Sequence, residues 1–141
     1  MLRRDLLVAA PLLALAFPAA AAPSNSSGGV GQYVDLQPVG LPIVVKGRLV
    51  NYVFVYVRLN LTAAANAAAL REKEPFFRDA LVRMATRTPF TDPADYNRID
   101  PTRLAAAMTP QAAAIAGPGA IASVVILSQA PQHHVATPQG G

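Results

Sequence analysis

Cysteine is absent from the 141-residue chain, and charged side chains make up only 14% of it. The lack of cysteine excludes a disulfide framework, a thiolate zinc site and a cysteine nucleophile, and it is compatible with an oxidising compartment. The charges are 12 basic and 8 acidic residues, for a net charge of +4. Because this excess is small and no basic cluster is interleaved with aromatics, we expect no nucleic-acid binding.

Residues that usually carry catalysis are scarce as well. No GxSxG motif is present, and no glycine-rich stretch is followed by the Lys-Ser/Thr of a phosphate-binding loop. The two histidines, His133 and His134, are adjacent, and adjacent residues do not converge on one side of a helix or strand. Most of the few carboxylates are explained by helix pairs and caps. We therefore expect a non-enzymatic protein with no catalytic residues, no cofactor and no bound metal.

Residues 1–22 resemble an export signal. Arg3-Arg4 form a basic segment, Leu6–Phe17 an apolar stretch and Ala19–Ala22 a small-residue cleavage zone. The basic pair and the three residues after it also resemble a twin-arginine signal, so both export routes stay open. The alternative is a short uncleaved anchor, although a spanning helix needs roughly 20 apolar residues. We expect a periplasmic protein, anchored in the inner membrane only if residues 1–22 are retained.

The rest of the chain divides into three parts by composition. Residues 23–32 contain the stretch SNSSGGVG and are expected to be a flexible spacer. Residues 33–129 carry the periodic patterns of one folded domain. Residues 130–141, rich in proline and glycine, are expected to be a disordered tail.

The stretch Leu49–Leu61 predicts the strand around which the domain is organised. It is mostly β-branched, aromatic or aliphatic and contains neither glycine nor proline. Side chains alternate between the two faces of a strand, so one row is apolar except for Asn51. The other row carries Val50 and then three aromatic residues, Tyr52, Phe54 and Tyr56, before it becomes polar. We expect the aliphatic row to face helices and the aromatic row to be a candidate interface; the alternative is that the aromatic row completes an ordinary core.

Strands are also expected before and after this stretch. Prolines break an edge strand over Tyr33–Val45, and a turn at residues 46–48 leads into the central strand. The apolar run Ile121–Ser128 predicts a buried strand beside Leu49–Leu61.

Helices are predicted by period and by capping residues. The period over residues 63–87 is helical, with Thr62 as its expected cap and Pro75 either kinking the helix or starting a second one. Three further candidate helix starts place a capping side chain before a proline: Asp92-Pro93, Asp100-Pro101 and Thr109-Pro110. We expect a short turn near residues 93–97 and a helix over 101–116, with a break at Pro110 left open. The Gly-Pro-Gly at 117–119 ends this helix. The expected fold is α+β, a small antiparallel or mixed sheet with helices on one face.

Residues 33–129 resemble the periplasmic domain of the flagellar basal-body protein FliL family. The matching features are the opening Tyr33–Pro38, the Gly47-Arg48 turn into the strand Val53–Leu59, the charged helix Leu70–Leu81 with its Pro and Arg-Asp-Ala, and a helix and closing strand over 103–108 and 124–127. The chain departs from this family at its start, where the family has a short cytoplasmic segment and an uncleaved membrane helix.

The resemblance implies a stomatin-like fold and an inner-membrane protein that assembles around the stator units of the flagellar motor and helps to generate torque. From it we expect a protein that acts through protein–protein contacts, with flagellar stator or basal-body partners and with homo-oligomers. The alternative is a soluble exported protein that binds a small apolar ligand between sheet and helices, or an unrelated envelope partner.

Overall fold

A computed structural model describes residues 31–136, which form an α+β domain as predicted. The predicted export signal and most of the spacer, residues 1–30, lie outside the described residues, as do residues 137–141. The elements in chain order are β1 (Tyr33–Asp35), β2 (Val39–Val45), β3 (Arg48–Leu61), α1 (Ala67–Glu72), α2 (Glu74–Arg87), β4 (Thr91–Asp92), β5 (Asp95–Ile99), α3 (Pro101–Ala116) and β6 (Ile121–Pro131).

β3 is the middle strand of the larger sheet, as predicted from its length and composition. Residues 53–55 of β3 pair with β2 on one side and with β6 on the other. Residues 58–60 pair in the same way with β1 and β6. β1 and β2 therefore share one edge of the sheet and β6 forms the other edge, and all of these pairs are antiparallel.

The edge made by β1 and β2 is one strand interrupted at residues 36–38, which agrees with the predicted break by proline. Pro38 lies in the interruption, where its lack of an N–H removes no ladder hydrogen bond. The Leu36 N–H still donates to the Val57 C=O at 3.0 Å, so the strand keeps its place beside β3 across the gap.

A turn of only two residues joins β2 to β3, because Val45 pairs directly with Arg48. The two turn residues, Lys46 and Gly47, have φ values of 53° and 77°. Positive φ at both positions defines the type I′ turn, whose twist matches that of the flanking strands. Glycine adopts this conformation freely, whereas a lysine is strained in it.

The helical stretch predicted over residues 63–87 is two helices, α1 and α2. The prediction that Thr62 caps the first helix is wrong. Asn66 is the cap, and its side chain accepts a hydrogen bond from the Ala69 N–H at 3.0 Å. The Thr62 hydroxyl donates instead to the Gly119 C=O at 2.6 Å, which ties the end of β3 to the loop before β6.

Pro75 starts a second helix rather than kinking one long helix. It lies in the first turn of α2, where a missing N–H costs no helical hydrogen bond. A Glu74 carboxylate oxygen also accepts the Gln37 N–H at 2.9 Å, which attaches the start of α2 to the interruption between β1 and β2. Two ion pairs between residues four apart lie on this helix: Glu74–Arg78 at 3.0 Å and Asp79–Arg83 at 2.8 Å.

α3 has the predicted bounds. The Asp100 carboxylate accepts two backbone N–H groups of the first turn at 3.0 and 3.1 Å, as a helix cap does. Pro110 lies inside the helix, which is not broken there. The C=O of Ala106, which loses its helical partner to this proline, belongs to an exposed residue that water can reach. Gly117, with φ 98°, ends the helix.

Residues 91–99 form a β-hairpin, so the candidate helix start at Asp92 instead begins a turn at residues 93–94, in the region where a short turn was expected; the two strands around it were not predicted. The Asp92 carboxylate accepts the Ala94 N–H, and the Asp95 carboxylate accepts the Asn97 N–H, both at 2.9 Å. The same kind of side-chain bond begins turns as well as helices, which is why the pattern misled. Hydrogen bonds from the Asn97 backbone and side chain lower the pKa of Asp95.

Three side chains connect this hairpin to β2, to β6 and to the chain end. Each of them bonds both the N–H and the C=O of a single residue. A side chain thereby takes the place of a neighbouring strand. We name these bonds the two-way contacts: Thr91 with Val44 (3.0 and 3.1 Å), Asn97 with Val135 (2.7 and 2.8 Å) and Gln129 with Ile99 (2.8 and 3.2 Å).

β6 pairs with β3 as predicted, but the prediction that Ile121–Ser128 is a buried strand is wrong. Val124 is buried, whereas Val125 and Leu127 are 38% and 50% exposed. A strand with one solvent-facing side buries only every second side chain. Val124–Leu127 are all apolar, so nothing in their pattern distinguishes the two sides.

The folded part of the chain extends past both predicted domain boundaries. β6 continues to Pro131, and the Gln132 N–H donates to the Tyr52 C=O at 2.8 Å, beyond the predicted start of the tail at residue 130. At the other end, the C=O of Gln32, assigned to the spacer, accepts the Leu61 N–H at 2.9 Å. Backbone pairing of this kind depends little on side-chain type, so composition did not indicate it.

The core lies between one face of the larger sheet and the helices. Every second residue of β3 from Asn51 to Leu61 is at most 5% exposed. The apolar side chains that recur with the helical period over residues 63–87 face these β3 residues. Ala67, Leu70, Phe77 and Leu81 are buried, and Met84 is half-buried. The helices therefore cover one face of the sheet, as predicted.

Asn51 is the one buried polar residue among residues 31–136, with 2% of its surface exposed. Its side-chain N–H group donates to the His133 C=O at 2.9 Å. Its side-chain oxygen accepts the Tyr52 N–H at 2.9 Å. A buried amide is tolerated when it is hydrogen-bonded in this way, and here it also holds the chain end against β3.

Candidate interaction surface

The three predicted interface residues lie together on the sheet face opposite the helices. Tyr52, Phe54 and Tyr56 are 40%, 41% and 43% exposed. Their neighbours Val53 and Val55 point the other way and are completely buried. The aromatic side chains are therefore outside the core, which excludes the alternative in which they complete it.

Small residues flank the aromatic row, so the rings stand above the surrounding surface. Phe54 pairs with Gly40 of β2 and Ala130 of β6. Tyr56 pairs with Ser128 of β6. Directly paired residues in an antiparallel sheet share a face. With only small side chains on either side, Phe54 and Tyr56 are open to a partner from above.

The Phe54 ring covers the backbone of Gly40. A Cβ atom built on Gly40 would lie 3.3 Å from the Cε1 atom of this ring. An aromatic ring placed over a glycine of an edge strand fills the space that a side chain would occupy. Phe54 thus contributes to the sheet as well as to its surface.

A polar cluster of three residues continues the surface beyond the aromatic row. Arg58 donates two hydrogen bonds to Asp35, at 2.6 and 3.0 Å. The guanidinium carbon of Arg58 lies 3.8 Å from the centre of the Tyr33 ring, within the range of a cation–π contact. The hydrogen bond from Arg58 lowers the pKa of Asp35, and the same bond raises the pKa of Arg58.

The sequence pattern predicts the aromatic row, but it indicates neither this polar cluster nor the exposed residues of β6. The cluster needs the register of β1 on β3, in which Tyr33 faces Asn60 and Asp35 faces Arg58. A strand of three residues carries too little pattern to set that register. A bulge sets Leu127 apart from the alternation of β6, and such a bulge has no signal in this sequence.

Most of the remaining carboxylates have structural partners. Among residues 31–136 no group of three or more His, Asp or Glu side chains is placed to hold a metal ion. Asp92 pairs with Arg98 at 3.3 Å, and Asp100 caps α3. No helix in the same part of the chain is long and apolar enough to cross a membrane.

Comparisons with family models, with curated proteins and with solved structures found no match for this chain. The resemblance to the FliL family, and the stomatin-like fold that it implies, therefore stay predictions from the sequence.

Proposed function

We propose that this chain is a non-enzymatic, exported, FliL-like protein that acts in the periplasm through protein–protein contacts, at the flagellar basal body and its stator units. One observation carries the contact role. The aromatic row of β3 lies in the open on a sheet face with no helix against it.

The composition of this face fits a protein partner. Tyrosine, phenylalanine and arginine are enriched at protein interfaces, because each combines a large contact area with a polar or polarisable group. Tyr52, Phe54 and Tyr56 supply the apolar area, and Arg58 with Tyr33 supplies a polar margin. Exposed apolar surface that is continuous and edged by polar groups is typical of a binding surface.

The flagellar part of the proposal rests on the resemblance. The order of elements in the domain is a broken edge strand, a long central strand, charged helices and a closing strand. This is the order on which the resemblance to the FliL family was based.

The alternative of an apolar ligand between sheet and helices has no supporting observation. The facing residues there, including Val55, Leu59, Phe77 and Leu104, are completely buried. Grooves on the described part of the chain lie beside α2, β6 and β1, and none of these includes a residue of the buried row of β3.

Deletion of the gene tests the motor role. We expect a smaller swimming zone in soft agar, with flagella of normal number and length seen by electron microscopy. Unchanged swimming of the deletion strain would contradict the proposal.

Complementation with variants tests the surface. The double variant Tyr52→Ala and Phe54→Ala should fail to restore swimming. The matched control is Phe76→Ala, since Phe76 is 63% exposed but lies on α2. Both variants must reach wild-type abundance in the periplasm. Equal swimming of the two complemented strains would count against the aromatic row as the contact surface.

A further inference from the structure

The two edges of the larger sheet differ in how they are protected. A free strand edge presents unpaired N–H and C=O groups, which another strand can bind. On the β1–β2 edge several of these groups already have partners. Thr91 bonds both backbone groups of Val44, and Arg71 donates to the Tyr33 C=O at 3.1 Å. Pro42, two residues before Val44 and so turned toward the same side, has no N–H to offer.

The outer edge of β6 has no such protection over residues 123–126. Two hydrogen bonds show that the backbone groups of Val57 and Leu61 in β3 point toward the β1–β2 edge. The Leu36 N–H donates to the Val57 C=O, and the Leu61 N–H donates to the Gln32 C=O. Strand residues alternate in this direction, so Leu59 points the same way as Val57 and Leu61. The β6 residues opposite Val57 and Leu59 therefore turn their N–H and C=O groups outward; they are Ile126 and Val124.

We propose that this edge binds the same edge of a second copy of the chain, so that β6 and β6 of the second copy form an antiparallel pair and the two sheets become one. The backbone groups specify an extended strand as the partner. The chemistry of β6 favours its own copy: residues 121–131 contain no charged side chain, so two copies meet without like-charge repulsion.

Open space lies beside this edge. A groove of about 380 Å³ is lined by residues 126–129 of β6 together with Asn97, Arg98 and Pro101. A second strand approaching β6 can enter this groove without displacing an element of the domain. The aromatic rows of the two copies would then lie on one continuous sheet face, because pairing at an edge extends both faces.

The outward residues define the register of the pair. β6 has two bulges, one after residue 121 and one before residue 128, and it is regular between them. In this regular part, every outward N–H and C=O is hydrogen-bonded when Val124 of each copy pairs with Ile126 of the other. A two-fold axis then passes beside Val125, whose two copies face each other as a non-hydrogen-bonded pair with Cα atoms about 4.5 Å apart.

Cysteine cross-linking tests this register directly, since the full chain has no cysteine of its own. Val125→Cys should give a disulfide-linked dimer under mild oxidation, because a Cα separation of about 4.5 Å is within disulfide range. The control is Ala106→Cys on the exposed side of α3, which should stay monomeric. A monomeric Val125→Cys protein with native circular dichroism would overturn the proposal, whether the edge is then free or taken by another segment.

A charge at the same position supplies a second test. In sedimentation velocity, wild-type protein should dimerise with rising concentration. Val125→Glu should weaken dimerisation by about tenfold or more, since two carboxylates then meet at the axis. Val125 is 38% exposed, so a glutamate at this position can reach solvent without disturbing the core. Val125→Thr keeps a neutral β-branched side chain and should dimerise like wild type; equal dimerisation of the Glu and Thr variants would refute the pairing.

The inference does not depend on the motor role. The tests use purified protein, so dimerisation can fail while the swimming phenotype holds, and the reverse. The Tyr52→Ala and Phe54→Ala protein should still form the Val125→Cys cross-link, which separates the edge from the aromatic row.

Discussion

Arg58 binds Asp35 across the pair of strands β1 and β3 through two hydrogen bonds, and β1 is only three residues long. β1 is also held by its backbone pairing with β3 and by Val34, which is 1% exposed. The pair therefore adds a modest, pH-dependent side-chain contribution to this edge of the sheet.

Replacing Asp35 by Asn should make stability less dependent on pH. The pKa of Asp35 is lower in the folded chain than in the unfolded chain, where it is about 3.9. Its stabilisation is therefore complete above that pH and is lost as the pH falls through the lower, folded pKa. The effect is small, because both side chains are partly exposed. Urea unfolding should show Asp35→Asn weaker than wild type at pH 7, with the difference shrinking in acid. Arg58→Gln should remove the same pH-dependent part of the unfolding free energy. If the unfolding free energies of wild type and Asp35→Asn differed by the same amount at every pH, this account would be contradicted.

Lys46→Asn should stabilise the protein by about 0.5–1 kcal/mol. Lys46 has a φ of 53°, and asparagine tolerates this left-handed conformation better than lysine does. The adjacent Gly47→Ala gives the opposite sign, since a Cβ there meets no atom within 4 Å and only the backbone is strained. Thermal unfolding measures both. A neutral or negative effect of Lys46→Asn would show that the turn does not carry this strain.

Asn51→Ala should destabilise the protein by about 1–3 kcal/mol, because it removes a side chain that is only 2% exposed together with its hydrogen bonds to two backbone groups. The groups are the His133 C=O and the Tyr52 N–H. The control is Asn60→Ala, on the half-exposed face, where the lost bond to Ser123 can be replaced by water. Urea unfolding midpoints, with unchanged slopes, would measure the loss of stability in each of the two variants. A similar loss in Asn51→Ala and Asn60→Ala would argue against a special role for Asn51.

Gln129→Met should loosen the β4–β5 hairpin. Methionine keeps the length of the side chain but bonds neither the N–H nor the C=O of Ile99. Hydrogen exchange at the Ile99 amide should accelerate by about tenfold, the equivalent of one lost hydrogen bond. Gln132→Met, on an exposed residue, is the matched control. Unchanged exchange at Ile99 would mean that packing alone holds the hairpin.

Sequence predicted the parts of this fold in which side-chain period and burial agree. In β3 the alternation is clean, since Val53 and Val55 are buried between exposed aromatics, and the central position of the strand followed from it. Asp100 and Gly117 marked the ends of α3, because a cap and a left-handed glycine each satisfy backbone groups that the helix leaves open.

The failures occurred where one side chain suits two local structures. Thr62 and Asn66 are both good helix caps, and only the path of the chain decides between them. Asp92 begins a hairpin with the same bond that would begin a helix. For the candidate surface, alternation along one strand was enough to find Tyr52, Phe54 and Tyr56. The contact of Tyr33 with Arg58 joins two strands, and a single sequence does not state their register.

The two-way contacts mean that the hairpin depends on its own sequence more than the larger sheet does. A backbone ladder depends little on side-chain type, so the pairing of β3 with β6 does not require a particular residue at each position. Thr91, Asn97 and Gln129 cannot be exchanged so freely, because each supplies a donor and an acceptor at once. At each of these three positions a single substitution removes two hydrogen bonds together, so the attachment of the hairpin and of the chain end is sensitive to changes that the ladder itself would tolerate.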